Sequence, residues 1–363
     1  MTVHFDDSPF LTIWETTQSC LLACKHCRAS AQPSALAGEL TTEEGKSLLK
    51  SIWDMGCRIV VLSGGDPFQR SDLEELISYG KSLGLRMATV PAATEKLTES
   101  RIKSIKLAGI DQVAVSIDFP VEDLHDNFRR VPGAFHKSIQ AAKWIKDHGI
   151  SLQINTTVTK TSLPYLEEMG DFVDSLGVSF WEVFFLIPMG RGSELEALTS
   201  EECERAFSVL AKLHQQYSYI LKVTEAPHYR RYLLEHHPDI FRSKVNASFG
   251  TKHSIGQSSA TVNAGKGFMF VSYKGDIYPS GFLPMDTGNV RYNAVADVYR
   301  NHPVFKKLRD VTALEGKCGI CEYVKICGGS RSRAYSYTKD YLAEEPWCYY
   351  EPKKMNIEDR VVV

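Results

Sequence analysis

The chain has 363 residues, of which 43% are hydrophobic and 24% are charged, as is ordinary for a globular protein. Its formal net charge of −2 gives no general electrostatic attraction to nucleic acid or to anionic membranes. The acidic N-terminus lacks a secretion signal, and no apolar run reaches the ~18 residues of a membrane span. Nine cysteines without such a signal favour metal or redox chemistry in the cytoplasm over a disulfide framework.

Strand and helix patterns alternate through the first half of the chain. Short apolar, β-branched runs predict strands at residues 10–14, 58–62, 85–90, 112–117, 152–158 and 178–186. Helices are predicted from the start signal at residues 41–44 to about residue 55 and at 71–83, 99–108, 133–148, 165–176 and 201–217. This alternation implies a parallel sheet covered by helices, and a half-open (β/α)6 barrel fits it. In such barrels the active site lies at the carboxyl ends of the strands.

The pattern changes beyond these helices. We predict a barrel over residues 1–221, a connecting segment over 222–262 and a small cysteine-rich module over 263–363. The connecting segment is polar, histidine-rich and irregular in pattern, and we expect it to form part of a lid. Within the module, residues 267–279 predict a β-hairpin with a Lys-Gly-Asp turn, and residues 304–309 predict a short helix.

Three cysteines follow the first predicted strand closely. Cys20, Cys24 and Cys27 have the spacing C-x3-C-x2-C, so one loop can wrap three thiolates around a small inorganic group. An iron–sulfur cubane normally takes four cysteines, and three would leave one iron open to another ligand. The alternatives are a zinc site completed by His26 or Cys57, or three buried cysteines without a ligand.

A second cysteine group lies in the C-terminal module. Cys318, Cys321, Cys327 and Cys348 have the spacing C-x2-C-x5-C-x20-C. Four thiolates satisfy either a complete iron–sulfur cluster or a zinc ion, and the spacing alone leaves both open.

The first cysteine spacing resembles the signature of the radical S-adenosylmethionine (SAM) enzymes. The resemblance implies a partial (β/α)6 TIM-like barrel in which Cys20, Cys24 and Cys27 hold a [4Fe–4S] cluster. The fourth iron would be chelated by the amino and carboxylate groups of SAM. The implied reaction is reductive cleavage of SAM to a 5′-deoxyadenosyl radical, which abstracts hydrogen from a substrate. A reducing partner such as flavodoxin or ferredoxin is implied as the electron donor.

A glycine turn follows the second predicted strand. By itself, Gly64-Gly65-Asp66-Pro67 fits an ordinary strand-to-helix turn. It also resembles the Gly-Gly-Glu-Pro motif of the family, which grips the methionine amino group of SAM through backbone carbonyls. Asp66 stands where the family has Glu, and we count this as a mild departure because the grip is mostly by the backbone.

Further SAM contacts are implied by position. Ser116 and Asp118 end the fourth predicted strand on one side, where the family contacts the ribose and carboxylate. Arg129 is implied to pair with the methionine carboxylate, although Arg130 is adjacent and the segment also fits a solvated helix cap. The residues implied to border the adenosine are Asn155, Leu186 and His26.

The C-terminal cysteine group resembles the SPASM module, which carries auxiliary clusters. Ser280 and Arg331 stand where the family has further cysteines, and the four cysteines retained match the outer auxiliary cluster. We therefore predict one auxiliary [4Fe–4S] cluster and two clusters in total; about twelve irons per chain would contradict this prediction.

The residues around the first cysteine group point to a substrate class. Trp14-Glu15-Thr16-Thr17 before it, and His26-Cys27-Arg28-Ala29 at its end, resemble the haem-biosynthesis branch of the SPASM enzymes. That branch implies oxidative decarboxylation of a tetrapyrrole, whose carboxylates would meet cations. The candidate cations are Arg191, Arg230, Arg231, Arg331 and Arg333.

Two other functions stay open. One is maturation of a ribosomally made peptide, although only nine residues precede the first predicted strand, so we expect no leader-binding domain there. The other is a non-catalytic iron–sulfur or zinc protein, which SAM cleavage by the reduced protein would distinguish from both enzymes.

Overall fold

This structure, a computed structural model, describes residues 4–247 and 261–353, and only the backbone of residues 243–247. Nine strands form one sheet in the order β7-β6-β5-β4-β3-β2-β1-β8-β9. The strands are β1 (Leu11–Glu15), β2 (Ile59–Ser63), β3 (Arg86–Thr89), β4 (Gln112–Ser116), β5 (Ser151–Val158), β6 (Phe180–Phe185), β7 (Ile220–Thr224), β8 (Phe268–Val271) and β9 (Ile277–Tyr278). Every pairing is parallel except that of β8 with β9.

Helices connect the successive parallel strands from β1 to β7 and cover the outside of the sheet, and four further helices follow the last described strand. They are α1 (Thr42–Met55), α2 (Leu73–Leu83), α3 (Glu99–Leu107), α4 (Glu122–Arg129), α5 (Ala134–Asp147), α6 (Leu166–Ser175), α7 (Ser200–Gln216), α8 (His228–His236), α9 (Pro238–Ala247), α10 (Val295–Asn301), α11 (Pro303–Arg309), α12 (Gly316–Ile320) and α13 (Arg331–Thr338). The start of α1 is fixed by a capping box in which Thr41 and Glu44 bond reciprocally to each other's backbone N–H groups. The predicted partial barrel is confirmed.

Alternation along the strands separates an inner from an outer face. Ile13, Val61 and Ala88 are register partners on β1, β2 and β3, and all three face a cavity inside the barrel. Their neighbours point outward under the helices, where Trp14 and Leu62 are fully buried. The outer face therefore supplies the hydrophobic core, and the inner face is free to line a site.

The segment predicted as irregular is largely regular. Strand β7 and helices α8 and α9 occupy most of residues 220–247, so that part of the prediction was wrong. The predicted lid falls partly on residues 248–260, which lie outside the described residues. The division of the chain at residue 221 remains a prediction, although that point falls inside β7.

The C-terminal part of the chain extends the barrel sheet. The predicted hairpin is confirmed, with β8 and β9 antiparallel and Gly275 of the turn at φ 88°. Strand β8 also pairs in parallel with β1, which brings the start of the C-terminal module to the edge of the barrel. None of the described helices is long and apolar enough to cross a membrane.

Candidate active site

A central cavity of about 570 Å³ lies between the inner face of the sheet, the cysteine loop and the start of the C-terminal module. Nine of the residues implied to bind the cluster or SAM line it: Cys20, Cys24, His26, Cys27, Gly64, Gly65, Ser116, Arg129 and Asn155. Leu186 lines a smaller cavity of about 180 Å³, which shares His26, Ser116, Arg129 and Asn155 with the central one. The carboxyl ends of several strands thus bring together residues that are far apart in the sequence.

The cysteine loop is held from both sides by backbone bonds. Cys20 N donates to Gln32 O over 2.7 Å, which closes the loop on itself. Lys25 N donates to Phe128 O over 2.9 Å, so the end of α4 supports the loop. Arg191 Nε donates to Cys24 O over 2.9 Å and its Nη1 donates to Ala31 O over 3.3 Å. These bonds fix the loop backbone and leave the thiols to face the cavity.

The glycine turn after β2 packs against the loop so closely that a side chain has no room. A Cβ on Gly65 would lie 2.5 Å from Ser19 O, and one on Gly64 would lie 2.4 Å from Thr17 O. Gly64 also has φ 150°. Because both obstacles are backbone atoms, glycine is required for the turn to reach the cavity beside the cysteines.

Asp66 does not line the cavity. Its buried carboxylate accepts hydrogen bonds from Phe68 N at 3.1 Å, Ala92 N at 3.2 Å and Thr94 Oγ1 at 2.9 Å. Burial raises the pKa of Asp66 in spite of these bonds, which oppose it. Asp66 therefore ties the turn after β2 to the segment after β3, and it orients the two glycines from behind.

Asp118 also lies behind the cavity wall. It forms a buried ion pair with Arg129, and it accepts a 2.9 Å hydrogen bond from Thr157 N. Burial is the largest single influence and acts to raise the pKa of Asp118, but the Arg129 charge, together with His26, His125 and the hydrogen bond from Thr157 N, holds that pKa below its usual value. Arg129 Nη1 lies 3.6 Å from Cys24 Sγ, so Asp118 orients a cation beside the cysteine loop.

The structure distinguishes Arg129 from its neighbour. Arg129 is 8% exposed and lines both cavities, whereas Arg130 ends α4 with φ 56° and its side chain is 44% exposed.

His26 stacks on Phe128 with ring centroids 4.7 Å apart. Burial lowers the pKa of His26 to about 4, so its ring is neutral at physiological pH.

The three loop cysteines line the cavity together, and Cys57 does not join them. Within residues 4–247 and 261–353, no three His, Cys, Asp or Glu side chains are placed to hold one metal ion. A zinc site needs its donors about 2.0–2.3 Å from one point, whereas a cluster of several irons takes more room. Cys57 cannot complete a site with the cysteine loop, because it is buried just before β2 with Sγ 3.6 Å from Thr12 Oγ1. Three thiols facing open space fit a cluster exposed to the cavity.

The four C-terminal cysteines also gather at one place. Burial raises the pKa of Cys327 well above its ordinary value, and the charges of the other three thiolates add to this rise. Cys318 lies on α12, and its Sγ accepts from Glu345 N at 3.4 Å and from Arg331 Nη2 at 3.6 Å. The structure therefore provides a second group of four thiols outside the barrel cavity.

The predicted substrate cations divide into two sets. Arg191 and Arg230 line the central cavity. Arg231 instead pairs with Glu204 and Glu235, Arg333 pairs with Glu345, and Arg331 bonds main-chain carbonyls and the Cys318 sulfur. The prediction is wrong for these last three arginines because they line neither cavity and their guanidinium groups are bonded within the protein.

Other residues of the cavity had not been predicted as ligands. Arg28 lies 4.8 Å from the centre of the Phe270 ring, pairs with Glu15 and donates to Gly281 O over 3.1 Å. Glu182 on β6 accepts from Thr224 Oγ1 over 2.7 Å. Glu182 could have been found by counting alternate residues from the strand end, whereas no sequence signal marks the ring contacts of Arg28.

The chain is similar to known proteins both in sequence and in fold. The radical SAM superfamily model matches residues 14–173. The AdoMet-dependent heme synthase of Oleidesulfovibrio alaskensis is 39% identical over 361 residues, covering 98% of this chain and 91% of that protein. The AdoMet-dependent heme synthase of Methanosarcina barkeri is 38% identical over 352 residues, with 97% and 99% covered. The structure of Streptococcus suis SuiB bound to S-adenosylmethionine superposes with a TM-score of 0.73 at 18% identity, covering 95% of this chain and 78% of that one.

Proposed function

Because the chain belongs to the radical SAM superfamily and is an enzyme of it, we propose that it oxidatively decarboxylates a carboxylated tetrapyrrole such as iron-coproporphyrin III. The observation that carries this proposal is the 38–39% identity to AdoMet-dependent heme synthases over nearly the whole chain. The similarity includes the C-terminal cysteine module as well as the barrel. The superfamily uses SAM and a [4Fe–4S] cluster.

Three cysteines and the residues around them form the proposed cofactor site. Cys20, Cys24 and Cys27 would hold the cluster, and the backbone of Gly64 and Gly65 would receive the amino group of SAM. When bound, the cluster and SAM supply the 5′-deoxyadenosyl radical that abstracts a hydrogen atom from the substrate. Arg129 is buried and oriented by Asp118, so its guanidinium is prepared to bind the methionine carboxylate.

The central cavity also contains groups suited to the proposed substrate. Arg191 lines it and, although two of its nitrogens donate to Cys24 O and Ala31 O, its buried Nη2 has no partner in the described structure and would be available to a carboxylate. Arg28 also lines it, pairs with Glu15 and would attract a substrate carboxylate by its charge. Phe270 and Phe282 lie near Arg28 and also line the cavity, offering flat apolar surfaces to a macrocycle. A substrate filling this space would keep water away from the reacting carbon.

The remaining partners follow from the same proposal. Cys318, Cys321, Cys327 and Cys348 would hold one auxiliary [4Fe–4S] cluster. A reducing protein such as flavodoxin or ferredoxin would donate electrons, and the nine cysteines suit a reducing cytoplasm.

Incubation of the anaerobically reconstituted, reduced enzyme with SAM and iron-coproporphyrin III tests the proposed substrate. We expect two propionate groups to become vinyl groups, detected by mass spectrometry. Counted from the propionic acid form, each conversion would release CO2, transfer one hydrogen atom to give 5′-deoxyadenosine, and release one proton and one electron, the electron passing to a one-electron acceptor such as the proposed auxiliary cluster. Protein without reductant is the control and should leave the porphyrin unchanged. Abundant 5′-deoxyadenosine with unchanged porphyrin would contradict the tetrapyrrole substrate, and conversion of a precursor peptide would favour peptide maturation.

A further inference from the structure

The two cysteine groups share an unusual feature, since each has a buried arginine beside one sulfur. Arg129 Nη1 lies 3.6 Å from Cys24 Sγ, and Arg331 Nη2 lies 3.6 Å from Cys318 Sγ. Arg129 is 8% exposed and Arg331 is 1% exposed, so water screens neither charge strongly. Each arginine can therefore act electrostatically on whatever its cysteine group holds.

The two arginines differ in how their charge is balanced. Arg129 is paired with the Asp118 carboxylate, so the charge beside Cys24 is largely compensated. Arg331 instead donates through Nη1 to Tyr341 O over 3.1 Å and to Ala343 O over 2.7 Å. Across the described residues no carboxylate forms an ion pair with Arg331. Carbonyl dipoles orient this cation without cancelling its charge.

Several other charged residues act on the C-terminal cysteines, and two of them have ion-pair partners of their own. Glu345, whose N–H donates to Cys318 Sγ, has its carboxylate bound by Arg333 Nη1 at 3.1 Å. Arg231 acts on Cys321 and Cys348 at longer range and is paired with two glutamates. Glu322 is a buried carboxylate that acts on Cys321 and accepts a hydrogen bond from the Tyr350 hydroxyl, and Arg230 acts on Cys327. Arg331 differs from both because its guanidinium directly contacts a cysteine sulfur, that of Cys318, and has no carboxylate partner among the described residues.

We propose that Arg331 is a positioning residue that acts through Cys318 and raises the reduction potential of the C-terminal cluster above that of the barrel cluster. The inference rests on the proposed function, because it requires a cluster at each cysteine group. Reduction adds negative charge to a cluster, so a nearby cation and an N–H bond to a ligand sulfur stabilise the reduced form. The compensated Arg129 supplies less of this stabilisation to the barrel cluster.

A redox titration followed by electron paramagnetic resonance measures both midpoint potentials in the full chain without SAM. Replacing Cys20, Cys24 and Cys27 by alanine assigns the C-terminal signal. The variants are Arg331→Gln, which removes the charge, and Arg331→Lys, which keeps it. Arg309→Gln is the control, since the Arg309 side chain is 7% exposed, donates to Tyr299 O and Arg300 O, pairs with the exposed Asp6 and bonds no cysteine among the described residues.

We expect the C-terminal cluster of the unaltered enzyme to have the higher potential. Arg331→Gln should shift its one-electron equilibrium toward the oxidised form at least tenfold, equivalent to 59 mV, and leave the barrel cluster unchanged. In Arg331→Lys the midpoint potential of the C-terminal cluster should stay close to that of the unaltered enzyme. Arg309→Gln should change the midpoint potential of neither cluster.

Three outcomes would overturn the inference. An unaltered enzyme whose two clusters have equal or reversed potentials would do so without any variant. Eight irons per chain with an unshifted potential in Arg331→Gln would reject the role of Arg331 alone. About four irons per chain in the unaltered enzyme would reject the auxiliary cluster and this inference together, whatever the tetrapyrrole assay shows.

Discussion

The ion pair with Asp118 holds the Arg129 guanidinium in position at the cavity wall. Replacing Asp118 by asparagine leaves a buried arginine without its counter-charge, which costs about 3–5 kcal/mol of unfolding free energy. Chemical denaturation of Asp118→Asn measures this loss. Glu167→Gln is the control, because its partner Lys212 is exposed and its loss should leave stability unchanged. Equal effects of the two substitutions would contradict the role given to Asp118.

We expect the Arg28 guanidinium to attract the carboxylates of the substrate. Arg28→Met removes a substrate-facing charge and also leaves the buried Glu15 without its partner, so the melting temperature is measured alongside. In the folded variant the KM for a carboxylated tetrapyrrole should rise about 10- to 100-fold. Steady-state kinetics measures it, with formation of 5′-deoxyadenosine in the absence of substrate as the reference that should not change. Arg205→Met, whose side chain is 69% exposed, should have no effect on either quantity. An unchanged KM in Arg28→Met would remove Arg28 from the substrate site.

The sequence motifs identify segments that reach the cavity, but they do not show which side chains of those segments line it. The motif positions of Gly64, Gly65 and Arg129 placed them correctly at the cavity. Asp66 and Asp118 share those motifs but lie behind the wall, because each is committed to hydrogen bonds with neighbouring segments. Which way a side chain turns depends on partners that the local sequence does not contain.

The contact between the glycine turn and the cysteine loop is a property of two elements. Gly65→Ala would place a Cβ 2.5 Å from the backbone oxygen of Ser19 and force the turn and loop apart. We expect this substitution to weaken SAM binding at least tenfold and lower the melting temperature, measured by equilibrium binding and thermal denaturation.

Gly149→Ala is the matched control for that substitution. Gly149 has φ 63°, so alanine there is strained, but nothing lies within 4 Å of its Cβ position. It should cost some stability and leave SAM affinity unchanged. Unchanged SAM affinity in Gly65→Ala would show that the close approach is not needed.

Elements that face polar space, or pair across long distances in the chain, were the hardest to predict. Strand β7 reads Ile-Leu-Lys-Val-Thr, and Lys222 and Thr224 interrupt the continuous apolar run that marks the earlier strands. The polar residues that follow it favour including it in the irregular segment. The parallel pairing of β8 with β1 joins segments more than 250 residues apart, and no local period indicates it. The strands β1–β6 were predictable because their outer faces are continuously apolar.

The whole molecule carries several buried neutral histidines, which make its stability depend on pH. Burial lowers the pKa of His26 and His125 to about 4 and that of His228 to about 3. Below about pH 6.5 these histidines bind protons in the unfolded chain but stay neutral in the folded chain. The free energy of unfolding therefore falls as the pH drops from about 6.5 toward 4. Each such histidine contributes a loss of about 1.4 kcal/mol per pH unit in that window.

The pH dependence can be assigned to individual residues by denaturation at several pH values. His228→Phe should flatten the decline of stability between pH 6.5 and 4, since both ring nitrogens of His228 are buried without a hydrogen-bond partner in the described structure. His136→Gln should leave the slope unaltered, because that side chain is 69% exposed. A slope identical in His228→Phe and the unaltered protein would contradict this explanation.

The three loop cysteines should hold a cluster that is open to the cavity. Formation of 5′-deoxyadenosine from SAM by the anaerobically reconstituted, reduced protein tests this most directly. We predict product from the unaltered chain and none from a chain with Cys20, Cys24 and Cys27 replaced by alanine but its C-terminal cysteines intact. No product from the unaltered chain, or equal product from both, would contradict the claim.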